Sequence, residues 1–253
     1  MKNNLLISLF IAIDLCVCSI SGAQEIKLED QVILYLPMNG NVQDESGQNV
    51  PTQSRGPIFT TDRFGNPDRA MEFDGIDDYI TINDNNPIVT SKSFTISLWV
   101  KIHGQPLVGT WGNAFFEQRD NGLGTPGIKS VLYFRGDYHE SVMLHTRSST
   151  DETIKDLKCD YLVDGSWHHY LAKIDENKIM EIYLDGNLFC SSVFPNDGDF
   201  HTSIDHVSLG AHHPEGIMHA RLYGIMDEVY IYNRALKLCE IEALFSGQLL
   251  NER

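Results

Sequence analysis

The sequence predicts an all-β protein, an antiparallel two-sheet sandwich or a barrel, with one short helix near its C-terminal end. The clearest evidence is the stretch Phe94–Ile102, in which apolar residues alternate with the others at a period of two. One face of that strand is therefore expected to lie in a core. Similar apolar stretches recur between clusters of Gly, Asn, Asp and Pro, as in sandwiches and barrels. Only Leu236–Ser246 shows the spacing of three and four that indicates a helix.

The predicted strands follow one another with turn residues between them. Asp185-Gly186 is a strong turn signal, because both central residues of such a turn need a positive φ. The stretch His103–Lys129 is rich in Gly and polar residues, and we predict elaborated loops there. The predicted strands are Val32–Met38, Ala70–Phe73, Tyr79–Ile82, Phe94–Ile102, Val131–Arg135, Val142–Thr146, Trp167–Ile174, Met180–Leu184, Leu188–Val193, Val207–Gly210 and Gly224–Tyr232.

The first residues have the features of a cleaved signal peptide. Lys2 supplies a positive charge, Leu5–Ile13 is mostly apolar, and Ser21-Gly22-Ala23 places small residues before a cleavage point. We therefore predict export, with a secreted or periplasmic destination. The alternative is a lipoprotein acylated at Cys16 or Cys18, although neither cysteine follows the small residues that such a site prefers.

Length and charge restrict the remaining chain. After removal of residues 1–23, residues 24–253 fit one domain with a core from about 32 to 245. The chain has 35 acidic and 19 basic residues and a net charge of −16. This acidity argues against nucleic acid and anionic membranes as partners, because both require a basic surface. Its apolar stretches are too short to span a bilayer, so we expect no membrane insertion.

Five sequence motifs follow one another along the chain. They are Tyr35–Asn41 with Asp44–Gly47, Phe73–Ile80, Phe94–Val100, Asp164–Tyr170 with Ile182–Gly186, and Gly224–Leu236. In this order they resemble the laminin-G-like jelly-roll domain of the concanavalin A-like lectin and glucanase superfamily. The resemblance implies a two-sheet antiparallel jelly-roll sandwich with one short C-terminal helix. It specifies the architecture better than the activity, because one fold hosts many functions.

The resemblance also implies a structural calcium ion, which would connect the first strand, an early turn and the closing strand. The matching ligands here would be the side chain of Asn39, the carbonyl of Gly75 and the carboxylate of Asp227, with Asp44 as a further ligand. Calcium binds several hard oxygens, including carbonyls. The alternative is that Asp44 caps a turn and that Asp227 accepts backbone hydrogen bonds.

Some relatives on this sandwich are glycoside hydrolases, which place carboxylates alternately along one strand. Glu72 and Asp74 are spaced like the start of such a motif. The chain then turns at Gly75, and the next acidic residue, Asp77, lies in the turn. Because the third carboxylate is missing, we predict a recognition module that is not an enzyme, with a glycan-active hydrolase as the alternative.

The predicted partner is carbohydrate or an extracellular protein. Trp111, Tyr133 and Tyr138 lie in or beside the loop-rich middle of the chain, and aromatic rings stack on the apolar face of a sugar. The alternative for Trp111 is that it caps the core, while Trp99 and Trp167 are predicted in the core. A structural or adhesion protein that acts through homomeric contacts is the remaining alternative.

Three cysteines remain after the leader is removed. A Cys159–Cys190 disulfide is plausible, because these residues flank the predicted hairpin and export permits a bridge. Cys239 lies on the apolar side of the predicted helix, where a thiol is usually buried.

Several histidines allow a zinc hypothesis. His212, His213 and His219 lie in a predicted loop and could converge, but no Cys or carboxylate stands at a ligand spacing beside them. His168 and His169 are adjacent on a strand and point to opposite faces, so they cannot share a metal. We therefore predict solvated loop histidines.

Overall fold

The computed structural model describes residues 28–82, 88–89, 93–106, 112–120, 129–136, 141–147, 154–160, 163–193, 206–212 and 220–247. Almost all of its regular structure is β. The strands are β1 Val32–Leu36, β2 Thr52–Arg55, β3 Ile58–Thr60, β4 Ala70–Asp74, β5 Tyr79–Ile82, β6 Phe94–Ile102, β7 Asn113–Asp120, β8 Lys129–Gly136, β9 Ser141–Arg147, β10 Ile154–Asp160, β11 Trp167–Ile174, β12 Ile179–Leu184, β13 Asn187–Val193, β14 His206–Leu209, β15 Ala211–His212, β16 Ala220–Arg221 and β17 Tyr223–Tyr232, and the helix is α1 Leu238–Ser246.

The strands form two antiparallel sheets and a small ribbon. Sheet A has the order β13-β12-β11-β6-β17-β4-β3, and β1 also pairs with β17. Sheet B has the order β10-β9-β8-β7-β14-β5-β2, and β15 pairs with β16. Hairpin-connected strands such as β7 to β10 and β11 to β13 are combined in each sheet with pairs from distant parts of the chain, such as β6–β17 and β7–β14, as in a jelly roll. The predicted two-sheet antiparallel sandwich is therefore confirmed.

The core lies between the two sheets and contains the inward residues predicted from alternation. In β6 the five apolar positions of the period-two pattern are each at most 3% exposed. The inward face of sheet B contributes Phe116 and Phe134 to this core, and these two residues are cross-strand partners. Burial of each such side chain contributes roughly 1.5–3 kcal/mol, so this shared core is the main stabilising element.

The outer face of sheet A carries a second apolar cluster beneath α1. Ile241 of the helix packs there with Leu171 and Tyr183. The helix begins two residues later than predicted, because Lys237 is extended and the N–H of Leu236 donates to Thr95 Oγ1. Among the residues that the structure describes, no helix is long and apolar enough to cross a membrane.

The predicted loop between His103 and Lys129 contains a strand, β7, so this part of the prediction was wrong. The strand has no clean period of two, because a bulge at Phe115 interrupts its pairing with β8. It also carries Glu117 and Gln118, which are buried although they are polar. Irregular pairing and buried polar residues together conceal such a strand from pattern analysis.

A disulfide joins Cys159 and Cys190, as predicted. Cys159 lies in β10, the edge strand of sheet B, and Cys190 lies in β13, the edge strand of sheet A. The bridge therefore connects the two sheets along one open side of the sandwich. Cys239 is partly exposed rather than buried.

Candidate functional site

The predicted calcium ligands occupy different environments. Asn39 is exposed, and its carbonyl accepts a hydrogen bond from Asn41 Nδ2. Asp44 caps a turn, since its Oδ1 accepts the backbone N–H groups of Tyr35 and Ser46 at 3.0 and 2.9 Å. This turn-capping role is the alternative that the sequence allowed for Asp44.

The other two predicted ligands lie apart along the closing strand. Gly75 follows Asp74, which pairs with Tyr223 at the start of β17. Asp227 is four residues further along the same strand, a separation of roughly 13 Å at the rise of a β-strand. One calcium ion cannot be coordinated by both positions, because its ligands lie within about 2.6 Å of the ion.

The turn that contains Gly75 holds a group of three carboxylates. One oxygen each of Asp74, Asp77 and Asp78 lies within 4.8 Å of the others, a spacing that a divalent cation could bridge. Burial raises the pKa of Asp78, and the charges of Asp74 and Asp77 add to that rise. The turn requires glycine at position 75, where φ is 75° and an added Cβ would lie 2.8 Å from Tyr223 Cβ.

Asp227 points away from that turn, onto the outer face of sheet A, where it meets a cation from the chain itself. Arg63 Nη1 lies 2.6 Å from Asp227 Oδ2, and both side chains are less than 10% exposed. The Arg63 guanidinium also lies over two rings, with its carbon 4.4 Å from the Phe64 centroid and 4.7 Å from the Trp99 centroid. Trp99 is thus on the outer face, and its prediction as a core residue was wrong.

A small cavity of about 20 Å³ lies beside this ion pair, lined among others by Trp99, His169 and Leu244 of α1. His169 Nε2 lies 2.7 Å from Ser97 Oγ, and burial lowers the pKa of His169 to about 3. Its Nδ1 has no hydrogen-bond partner within the described part of the chain, so no carboxylate orients it as in a catalytic triad. The cavity is also far smaller than a site for an organic ligand.

The outer face of sheet B carries a row of polar residues in register. Ser208 pairs with Glu117, Glu117 with Tyr133, Tyr133 with His145, and His145 with Asp156. The row thus crosses the sheet from β14 to β10, because directly paired residues share a face. We call these five residues the polar row.

Two close histidine–carboxylate contacts involve residues of the row. Glu117 Oε1 lies 2.9 Å from His212 Nδ1, with both side chains almost fully buried. His145 Nδ1 lies 2.7 Å from Asp156 Oδ1. Burial alone would raise the pKa of Asp156, but the hydrogen bond and charge of His145 outweigh it, and the pKa is lowered. His212 is therefore no solvated loop residue, while His213 and His219 lie outside the described residues.

Arg221 connects the polar row to the carboxylate turn. Its Nε donates to the carbonyl of Ile76 at 3.2 Å, although the residue is only 1% exposed. Burial lowers the pKa of Arg221, and the charges of Asp77 and Glu117 are among those that oppose this shift. A buried cation thus lies between two acidic groups, at the end of the sandwich where the carboxylate turn is found.

The predicted sugar-stacking residues relate to the same sheet. Tyr133 belongs to β8, and its Cα pairs with both Glu117 and His145. Trp111 and Tyr138 lie outside the described residues. The two described strand ends nearest to them, Asn113 and Gly136, are cross-strand partners.

Glu72 and Asp74, which are spaced like the start of a hydrolase motif, each contact other groups in the structure. Glu72 Oε1 lies 3.4 Å from His103 Nε2 on the outer face of sheet A. Asp74 Oδ1 accepts the N–H of Ile76 in the turn. Each of the two carboxylates therefore has a contact of its own, Glu72 with His103 and Asp74 within the turn.

Fold and topology define the class of this protein as a jelly-roll β-sandwich. Residues 74–242 match the family model for the concanavalin A-like lectin/glucanases superfamily. This match covers more than half of the chain, which therefore belongs to that superfamily. No curated protein sequence matches the chain.

Solved structures with the same fold include binding domains of clostridial toxins. The binding domain of Paraclostridial Mosquitocidal Protein 1 has a TM-score of 0.66 and 17% identity, over 88% of this chain and 53% of that one. The receptor binding domain of botulinum neurotoxin D has a TM-score of 0.65 and 17% identity, over 88% and 54%. The binding domain of Botulinum Neurotoxin DC in complex with SialylT has a TM-score of 0.65 and 16% identity, over 87% and 52%. The chain thus spans about half the length of these structures.

Proposed function

We propose that this protein is an exported, non-catalytic recognition module that binds carbohydrate on the outer face of sheet B. The observation that carries the proposal is the polar row, in which five polar residues are in register across five strands. Desolvated polar groups are costly, so a sheet face seldom retains them without a use. Asp156, at the exposed end of the row, offers a carboxylate that suits the hydroxyl groups of a glycan.

The choice of carbohydrate has further support. Trp111 and Tyr138, whose rings could stack on a sugar, lie within two sequence positions of Asn113 and Gly136, and these two strand ends are cross-strand partners. One structural neighbour is described in complex with SialylT, and the family description includes lectins. An extracellular protein surface is the other ligand class, and a glycan array without hits would favour it.

The non-catalytic part of the proposal rests on the carboxylates. Glu72 pairs with His103, and Asp74 caps its turn, so the described chain offers no acid and nucleophile facing one cleft. A hydrolysis assay on each bound glycan tests this directly. Cleavage that disappears in Glu72→Gln would identify a hydrolase instead.

Export is supported by the disulfide, because such bridges persist in oxidising compartments. The expected mature protein begins at Gln24. Mass spectrometry of the protein recovered outside the cytoplasm checks this, and an intact residue 1 would contradict cleavage.

A structural calcium ion remains part of the proposal, now at the carboxylate turn around Gly75. Asp74, Asp77 and Asp78 offer three carboxylates there, next to the predicted carbonyl ligand. Removal of calcium with a chelator should lower the melting temperature of the wild type but not of an Asp74→Asn/Asp77→Asn variant. Equal curves for the wild type with and without chelator would exclude a structural calcium.

The central experiment is a glycan array followed by calorimetric titration of the glycans that bind. Asp156→Asn removes the charge at the accessible end of the polar row, which is bonded to His145. Asp160→Asn is the matched control, because it makes the same change on the same face of β10, four residues away. We expect Asp156→Asn to weaken binding about tenfold, an effect of about 1.4 kcal/mol, and Asp160→Asn to leave it unchanged. Equal affinities for the two variants would move the ligand site off this face.

An adhesion function through homomeric contacts is favoured by one observation. Within the described strands, β13 is an edge that pairs only with β12, and Leu188 and Val193 on it are 52% and 61% exposed. Exposed apolar edge strands template pairing with another chain. Light scattering tests this alternative, with a Leu188→Lys variant expected to convert any dimer to monomer.

A further inference from the structure

We infer that Arg63 is the cation that neutralises Asp227, so the outer face of sheet A carries a guanidinium where the superfamily resemblance implied a calcium ion. The inference concerns the closing strand alone. It is independent of glycan binding and of any ion at the carboxylate turn.

The first argument is the geometry of the pair. Arg63 Nη1 and Asp227 Oδ2 are 2.6 Å apart, and the two side chains are 8% and 3% exposed. Burial raises the pKa of Asp227 to about 8, although the charge and hydrogen bond of Arg63 oppose that rise. The contact distance to the guanidinium is that of a charge-assisted hydrogen bond, so the carboxylate has a close, desolvated counter-ion.

The second argument is how firmly Arg63 is positioned. It belongs to the connection between β3 and β4, where Asp62 Oδ1 accepts the N–H groups of Phe64 and Asn66, each at 2.8 Å. The guanidinium is also held between the rings of Phe64 and Trp99. Arginine suits such a place, since its planar group bonds a carboxylate and stacks on rings together.

The third argument is that a metal ion would not fit beside this pair. Calcium needs six to eight oxygen ligands, and the predicted carbonyl donor at Gly75 lies apart from Asp227 along the closing strand. A divalent ion a few ångströms from a buried guanidinium would be repelled strongly, because the local dielectric is low. The aromatic rings of Phe64 and Trp99 fill space around the guanidinium and offer no oxygen.

The pair also explains how the C-terminal helix is seated. Trp99 contacts both the Arg63 guanidinium and the Phe245 ring of α1, and the centroids of the two rings are 5.7 Å apart. The β3–β4 connection, the closing strand and the helix therefore meet at a cation that the chain itself supplies. The seating of α1 is consequently independent of the calcium concentration.

The test combines melting curves and calcium analysis on the full mature protein. Arg63→Met should lower the melting temperature by on the order of 10 °C, because it leaves a buried carboxylate without its counter-ion. Measured at a pH above the raised pKa of Asp227, Arg63→Met/Asp227→Asn should recover at least half of that loss, since the unpaired charge is gone. Lys173→Met is the control on the same sheet, where Lys173 pairs with Glu181, and it should cost only a few degrees.

Calcium provides the second readout. Elemental analysis and calorimetric titration should give the same calcium content and affinity for the wild type and for Asp227→Asn, which is isosteric and tests the inference even if Arg63→Met does not fold. Loss of one bound calcium in Asp227→Asn would overturn the inference. Identical melting temperatures for Arg63→Met and the double variant at a pH above the raised pKa of Asp227 would also overturn it.

Discussion

The outer faces of the two sheets differ in the kind of residues they carry. On sheet A, Arg63 and Asp227 neutralise each other beneath aromatic rings, and α1 covers the face with an apolar cluster. On sheet B, polar residues are paired in register from β14 to β10. One outer face is thus covered by packing with the helix, whereas the other carries a row of polar side chains.

The two faces also differ in how their charged and titratable side chains are paired. On sheet A a single ion pair is enclosed by rings, while His169 beside it is held neutral by burial. Two buried imidazoles lie in or beside the polar row of sheet B, and each of them, His145 and His212, is next to a carboxylate. Buried polar groups in a connected arrangement give specificity rather than net stability.

The largest effect should come from breaking the most buried pair. Glu117→Ala leaves His212 without its carboxylate in a fully buried place and should cost about 3–5 kcal/mol of unfolding free energy. Glu181→Ala on sheet A breaks a partly exposed pair with Lys173 and should cost about 1–2 kcal/mol. Urea denaturation measures both. Equal costs would show that the two faces are not built differently.

The disulfide joins the two sheets, so its removal tests how far they depend on each other. A Cys159→Ser/Cys190→Ser variant should lose about 2–4 kcal/mol, because the bridge closes a loop between residues 31 positions apart. Cys239→Ser is the control and should change little. Chemical denaturation with two spectroscopic probes decides the matter, and loss below about 1 kcal/mol would mean that the shared core alone holds the sheets together.

Most of the fold could be predicted from the sequence, for a definite physical reason. Strands such as β6 bury alternate apolar residues, and that period is visible along one segment. The strand β7 was missed, because Glu117 and Gln118 are buried through partners that are distant in sequence. Pattern analysis detects periodicity within a segment, but it does not detect partners from distant segments that allow polar residues to be buried.

The candidate site could be predicted only in part, for the same reason. Tyr133 was identified from its aromatic character and lies in the polar row, whereas His145 and Asp156 look like ordinary surface residues until the register is known. Arg63 gives no sequence signal at all, because its partner Asp227 is 164 positions away. Cross-strand register is a property of the folded chain.

The stability of the protein should depend on pH through a histidine on the outer face of sheet A. His169 on sheet A has its pKa lowered to about 3 by burial, against 6.5 for an ordinary histidine. As the pH falls below 6.5, the unfolded chain binds a proton at His169 that the folded chain does not bind until about pH 3. The stability that is present above pH 6.5 is therefore lost as the pH falls towards 3. The loss should reach about 2 kcal/mol between neutral pH and pH 5. His169→Gln should remove this part of the pH dependence, and Ser97→Ala, which keeps the imidazole, should retain it. An unchanged slope in His169→Gln would contradict the assignment.

The smallest expected effect concerns ligand binding, and it compares the loss of an aromatic ring just before β7 in the sequence with the loss of a ring beside sheet A. Trp111→Ala removes a ring from the connection that leads into β7, whereas Phe64→Ala removes a ring that is 67% exposed beside sheet A. If glycans bind over sheet B, Trp111→Ala should weaken binding about tenfold, the value of one lost stacking contact. Phe64→Ala should leave binding unchanged and lower the melting temperature by a few degrees, because it uncovers one side of Arg63. Calorimetric titration with the strongest array ligand gives both affinities. Unaltered binding in Trp111→Ala would remove this residue from the ligand site, and weakened binding in Phe64→Ala would place the ligand on the face that we assign to structure.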